Sequence, residues 1–314
     1  RLNADAVSEL SSAMLGDTGA NEEVVKLLHS QSEGNLFFLV ETVRALAEAS
    51  GDLQRIGQGE LPEGIFTGGM QAITRRRLSK VDAQYSDIQT LAAVIGREID
   101  TQLLAHVHDA ETVQAWLSNA SDYNVINIQD NIWRFAHDKL RETLIADMPN
   151  DEKPNIHRIA AETIEAVYAD DAGYNEALLN HWQQVGDFDK IYHYTLPVTE
   201  NMMEITGAYV TAEALLQSSL DRLSPEDTRR VTLLNGLSDN AWRQNNYDLA
   251  MTYASQAQQL ATQHDYSQGL AMSLHKLGII ALIKGDYERA SELCQQSLAI
   301  RQDLGDQLGI SKSL

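Results

Sequence analysis

Cysteine is nearly missing from this chain. The only one, Cys294, falls in a helical pattern and has no internal partner. A disulfide framework is excluded, and a reducing, cytoplasmic setting is expected. Long apolar runs are missing as well. The longest, Leu277 to Ile283, is interrupted by Gly278 and falls far short of the roughly 20 residues a membrane helix needs. Positive charge is scarce: 24 Lys and Arg stand against 45 Asp and Glu, a formal net charge of −21. That balance argues against non-specific contact with nucleic acid or an anionic membrane. The one basic cluster, Arg75-Arg76-Arg77, lies in a helical stretch among acidic neighbours and reads as a solvated face. No Gly-x-x-x-x-Gly-Lys-Ser/Thr loop occurs, and no strand-ending acidic pair for magnesium. The stretch alone therefore holds no phosphate cradle and is not expected to be an enzyme. His106-x-His108 beside Asp109 has the residue types of a metal site but no further Cys or Glu, and reads as a solvated helix end. No signal-peptide pattern opens the chain, which starts at Arg1 rather than Met and reads as part of something longer.

What is present is helix. At 314 residues with 43% hydrophobic content, two or three domains are expected. Apolar spacing predicts helices over Leu2–Leu15, from Val24 onward, and over Leu36–Ala49, followed by a polar loop to Gly59. A breaker-rich linker runs from Leu61 to Gly69. Helices then follow over Met70–Val81, Ala83–Ile95, Thr101–His108 (capped by Asp100 or Thr101) and Ala110–Tyr123 (capped by Asp109). Val125–Ile128 and Ile132–Phe135 read as strands, turned by Asp130-Asn131. Three of these helices and this two-stranded wing predict a winged helix. Its groove-entering helix, Asp109 to Tyr123, carries Asp109, Glu111 and Asp122 and no Lys or Arg. DNA is not an expected partner.

At Arg134-Phe135-Ala136-His137-Asp138-Lys139-Leu140-Arg141-Glu142 the hairpin hands over to a helix. Free N–H groups and partial positive charge at that helix start suit a phosphate. The same residues fit a structural role, Asp138 capping its own helix and His137 packing on the hairpin.

Beyond Pro149 the chain reads as helical to its end, and a repeat emerges. Leu234, Leu237, Ser238, Ala241, Tyr247, Ala250, Ala254 and Ala257 recur 40 positions on as Leu274, Leu277, Gly278, Ala281, Tyr287, Ala290, Cys294 and Ser297. Small residues at a helix crossing, with an aromatic opening the second helix, are the tetratricopeptide signature. Gly186-Asp187-Phe188 and Gly207-Ala208-Tyr209 read as weaker copies, and Leu314 as the start of a further one. The register puts Asn235, Asp239, Trp242 and Arg243 on the concave face of one repeat, and His275, Ile279 and Leu282 on the next. Such a lining suits a protein, a peptide or a small effector, although Trp242 also fits a role between repeats.

Gly34-Asn35-Leu36-Phe37-Phe38-Leu39 resembles the glycine-asparagine-proline-phenylalanine-phenylalanine lid signature of signal-transduction ATPases with numerous domains. Phe135-Ala136-His137-Asp138-Lys139-Leu140-Arg141-Glu142 is similar to the histidine-aspartate motif that ends their winged helix, and Leu91-Ala92-Ala93-Val94-Ile95-Gly96-Arg97-Glu98 matches the bacterial, tetratricopeptide-bearing branch. The resemblance implies an all-α fold with a small hairpin wing. It assigns a helical lid to residues 1–60, a winged helix to 61–148, a connector with degenerate repeats to 149–205 and tetratricopeptide repeats to 206–314. It implies that Gly34, Asn35 and Leu36 lie near an adenine and that His137, with Asp138, approaches the phosphates of ADP or ATP bound with magnesium in the parent protein. Leu36 departs from the family's proline but is still apolar enough to pack on a base. The phosphate loop would belong to an upstream domain in cis, against which Phe37, Phe38 and Leu39 would be buried. Further copies of the activated parent are implied partners. A different class remains open: a tetratricopeptide scaffold that binds a protein without any nucleotide.

Overall fold

In the computed structural model the described residues are 1–32, 34–50, 69–169 and 171–313. The end of the polar loop expected before Gly59, the linker expected from Leu61, and Leu314 lie outside them. The chain divides into two compact units, 1–167 and 168–314. Among the described residues no helix is long and apolar enough to cross a membrane.

The first unit begins with α1 (Ala4–Leu15), α2 (Glu22–Ser32) and α3 (Leu36–Ser50). The Asn3 side chain accepts the Ala6 N–H at 2.9 Å and starts α1. Val7, Val24, Leu28, Leu39, Val43 and Leu46 close a small core between the three helices. Gly34 is fixed by close approach: its backbone has φ 74°, and a Cβ there would lie 2.3 Å from the Leu2 carbonyl oxygen. The Leu2 N–H donates to the Gly34 carbonyl at 2.6 Å, so the turn before α3 is tied to the start of the chain.

A second core forms from α4 (Gly69–Leu78), α5 (Ser86–Ile95), α6 (Thr101–Val107), α7 (Ala110–Asp122), the hairpin β1 (Ile126–Gln129) and β2 (Ile132–Phe135), α8 (Asp138–Asp147) and α9 (Lys153–Val167). Asp100 caps α6 and Asp109 caps α7 through their side chains. Asp130 and Asn131 both adopt positive φ, the geometry of a two-residue hairpin turn. The strands pair antiparallel from Ile126 opposite Phe135 to Gln129 opposite Ile132. Arg97 and Ile99 flank the hairpin: the Ile99 N–H donates to Trp133 and the Phe135 N–H to Arg97. Trp116, Leu117, Ile88, Phe135 and Leu140 are almost wholly buried at the centre. Each such side chain contributes about 1.5–3 kcal/mol relative to exposure.

The basic cluster is not a uniformly solvated face. Arg77 is buried, pairs with Glu41 at 2.7 Å and donates to the carbonyls of Tyr123 and Asn124. Adjacent residues on a helix point about 100° apart, so three consecutive arginines cannot share one surface. Arg75 and Arg76 are exposed, and Arg75 pairs with Asp147.

The second unit is an array of helix pairs: α10 (Asn175–Val185), α11 (Phe188–Asn201), α12 (Tyr209–Leu220), α13 (Arg229–Arg243), α14 (Tyr247–Gln263), α15 (Ser267–Ile283), α16 (Tyr287–Leu304) and α17 (Gln307–Ser313). A π-helical turn, Met202–Thr206, extends α11. One local device recurs. A left-handed residue (Gly186, Asn245, Gly285) ends a helix, and the next side chain (Asp187, Asn246, Asp286) caps the following one. At Gly207 the left-handed residue is kept, but Ala208 has no side chain to cap with. The small residues serve close crossing. Ala250, Ala254 and Ala257 are fully buried, and a Cβ on Gly278 would lie 2.6 Å from the Cys294 sulfur. The molecule is thus mostly helical, with one small antiparallel hairpin and a tetratricopeptide-type repeat region.

Candidate functional site

The second unit holds a cavity of about 300 Å³ between α13, α15 and the extended end of α11. Asp239, Trp242, Arg243, His275 and Ile279, all expected there from the repeat register, line it together. A charge ladder crosses its floor. Arg243 donates to Glu204 at 3.0 Å and to Asp239 at 3.2 Å, and Lys276 donates to the other oxygen of Asp239 at 3.2 Å. The Asp239 and Glu204 pairings hold the Arg243 guanidinium above its usual value, although burial works against them. The indole nitrogen of Trp242 is buried and has no hydrogen-bond acceptor among the described residues.

Two expected groove residues are elsewhere. Asn235 is buried beneath α15: its amide donates to the Val231 carbonyl and to the Ser273 hydroxyl, each at 3.0 Å. Spacing of i, i+4 and i+7 puts it on the face of Asp239 and Trp242, but it does not reveal that the next repeat covers that part of the helix. Leu282 is 53% exposed and does not line the cavity. Glu200, Glu204, Met272 and Lys276 line it without having been singled out. A partial signal was available: Glu200 and Glu204 stand 39 positions before Asp239 and Arg243, one short of the 40-residue period, but the weak preceding copy hid the register.

In the first unit the structure brings the two motif segments together. Phe37 and His137 stack with ring centroids 3.9 Å apart and planes inclined by 18°. The helix cap differs from the expectation. His137 itself is the N-cap of α8, and its Nδ1 accepts the Lys139 N–H at 3.2 Å. Asp138 occupies the first helical position, with its carboxylate 3.2 Å from Arg97. The extended backbone ends one residue earlier than a cap at Asp138 requires, which makes His137 the residue with the extended geometry of a cap. An accepting Nδ1 places the proton on Nε2 of a neutral ring. Burial depresses the His137 pKa, with Asp138 opposing.

Gly34 is buried, the Asn35 side chain accepts the Phe37 N–H at 3.0 Å, and Leu36 is 54% exposed at the start of α3. Phe38 and Leu39 are already buried within the unit, 3% and 0% exposed, so they do not wait for an upstream domain to cover them. Leu39 fills the three-helix core, and Phe37 packs against the second core as well as on His137. Among the described residues no group of three His, Cys, Asp or Glu could hold a metal ion.

The sequence model described as tetratricopeptide repeat matches residues 229–303, the span from α13 to near the end of α16. Repeats of this kind generally mediate protein–protein interaction and are generally non-catalytic. No curated protein matches the chain. Among solved structures, the chain is similar to a Signal Transduction ATPase with Numerous Domains protein with a tetratricopeptide repeat sensor from Pyrococcus horikoshii. That similarity has 11% identity and a TM-score of 0.40, and covers 99% of this chain and 55% of the other. It is also similar to BtubC (BKLC) from P. vanneervenii, at 18% identity and a TM-score of 0.30, over 73% of this chain and 79% of that one. The chain thus spans about half the length of the first of these proteins, 55%.

Proposed function

We propose that this chain is the regulatory and sensor portion of a nucleotide-switch ATPase. Lid and winged helix in the first unit hold ADP or ATP bound to an upstream domain, and the repeats receive an effector or protein partner. The observation that carries the reading is the Phe37–His137 stack, which joins two motifs that lie 100 residues apart (37 and 137).

The residues present fit the nucleotide. His137 spends Nδ1 on its own helix, which leaves the Nε2–H as a donor for a phosphate oxygen. Leu36, apolar and exposed beside Phe37, offers a surface for a base. When bound, the diphosphate supplies negative charge and acceptor oxygens. Being neutral, His137 contributes a directed hydrogen bond rather than a full charge.

The test is ADP dissociation from the parent protein carrying His137→Asn, which keeps a capping side chain but lacks the imidazole. Faster release from a mutant with unchanged circular dichroism is expected. An unchanged rate in the folded mutant overturns the reading. A nucleotide-independent scaffold is the second reading, favoured by a groove built wholly within the second unit. For a scaffold, partner affinity would be the same with and without ADP; a switch requires the two to be coupled.

A further inference from the structure

The groove continues beyond the cavity beside Trp242. Toward α10 it opens into a second cavity of about 350 Å³, which shares Glu200 and Glu204 with the first. Toward α17 it opens into a third of about 320 Å³, which shares Met272, His275 and Lys276. Neighbouring helices pack 8–10 Å apart, so the row from α11 through α13 and α15 to α17 extends roughly 25–30 Å. An extended segment of about eight residues covers that distance at 3.3 Å per residue. Three linked cavities, each sized for one or two side chains, suit such a segment better than one compact molecule.

Charge is unevenly placed along this groove. In the middle the ladder of Glu204, Arg243, Asp239 and Lys276 is self-compensating. Toward α10 it is not. Glu176 and Glu200 line that cavity with Glu204, no Lys or Arg lines it, and neither Glu176 nor Glu200 has an ion-pair partner among the described residues. The surrounding wall is apolar, with Pro197, Val198, Met202 and the 76% exposed Ile205. Carboxylates above an aliphatic wall match a side chain with an aliphatic stem and a cationic head. The middle offers Ile279 and Met272 to an apolar side chain. Trp242 lines the middle cavity as well, with its indole nitrogen sealed from solvent.

We infer that the groove takes an extended protein segment with Arg or Lys seated against Glu176 and Glu200 and an apolar residue further along, over Ile279. This rests on the reading of the repeats as a partner-binding module and assigns the partner's chemistry.

The probe is a labelled ten-residue peptide with two Arg near one end and two Leu near the other, followed by anisotropy at 150 mM salt. A peptide with Glu in place of Arg serves as comparison. The chain's overall negative charge makes a second control necessary: Glu288→Gln with Asp303→Asn, both at exposed positions of α16, removes the same two charges away from the groove. The basic peptide is expected to bind at least tenfold more tightly than the acidic one. Glu176→Gln with Glu200→Gln should weaken it about tenfold, and Glu288→Gln with Asp303→Asn should leave it unchanged. Equal loss in Glu288→Gln with Asp303→Asn means general charge attraction and overturns the site. Competition by free argininamide, mole for mole, overturns the extended segment in favour of a small cation. Tighter binding of the acidic peptide overturns the basic preference but keeps the partner-binding reading. Binding of neither peptide removes both.

Discussion

Arg77 and Glu41 meet at 2.7 Å with 6% and 7% of their side chains exposed, an ion pair almost sealed from solvent between α4 and α3. Arg77 also donates to two carbonyls at the turn after α7. One guanidinium therefore ties the early three-helix layer to the core around the hairpin. Removing Glu41 leaves the buried Arg77 without its carboxylate, and removing Arg77 leaves Glu41 only the more exposed Arg44, at 3.4 Å.

Arg77→Ala and Glu41→Ala are each expected to cost about 3–5 kcal/mol. The double replacement Arg77→Met with Glu41→Leu should cost clearly less than the sum of the single changes, because neither charge is left stranded. Urea titrations of the four proteins measure this, and additive losses would mean the pair is not coupled.

Gly278 lies against Cys294, where an added Cβ would approach the sulfur to 2.6 Å. Gly278→Ala should gain about 1 kcal/mol of helix propensity yet lose about 1–3 kcal/mol to overpacking, for a net loss. With Cys294→Ala already in place, the same change should become neutral or stabilising. Thermal melting of the single and double mutants decides, and a melting temperature that falls equally in both backgrounds would exclude the contact.

His137 caps α8, so His137→Ala should cost about 1 kcal/mol from the lost cap. Asp138→Asn removes only an exposed pair with Arg97 and should cost less than about 1 kcal/mol. Burial lowers the pKa of His137, and of His157, in the folded chain. The unfolded state then binds more protons near the ordinary imidazole pKa, so stability is full above about pH 6.5 and falls as the pH drops through the depressed values. Urea midpoints between pH 8 and 5 should decline, and His137→Asn, which keeps a cap but cannot titrate, should flatten part of that decline.

The segment that would approach a DNA groove, α7 with its cap, carries Asp109, Glu111 and Asp122, and Arg77 is buried. Anisotropy with random duplex should show no binding below about 10 μM at moderate salt. Tight binding lost in Arg75→Ala or Arg76→Ala would contradict this.

The features legible in the sequence are those set by neighbours along the chain. Asp130-Asn131 marks the hairpin because both residues tolerate positive φ. The 40-residue recurrence of small and aromatic positions marks the repeats, since close helix crossing demands them. What stayed hidden depends on partners distant in sequence. Arg77 looks like its exposed neighbours until Glu41 and the Tyr123 carbonyl are in place. Asn235 shares a helical face with Asp239, yet Ser273 covers it. At His137 the error was one residue, because the last strand hydrogen bond decides where a helix begins and spacing does not report it. Glu200 and Glu204 were missed because the repeat that carries them keeps its glycine turn but has lost its capping side chain.

The ladder from Glu204 through Arg243 and Asp239 to Lys276 fastens three successive structural rows with partly exposed charges. Apolar packing sets how closely those helices approach but resists sliding only weakly, whereas pairs aimed across the rows resist shear. Their strength depends on the surrounding electrolyte, whose screening length falls from about 10 Å at 0.1 M to about 3 Å at 1 M. The curvature of the array, and with it the width offered to a guest, is therefore a property of the solution as well as of the sequence.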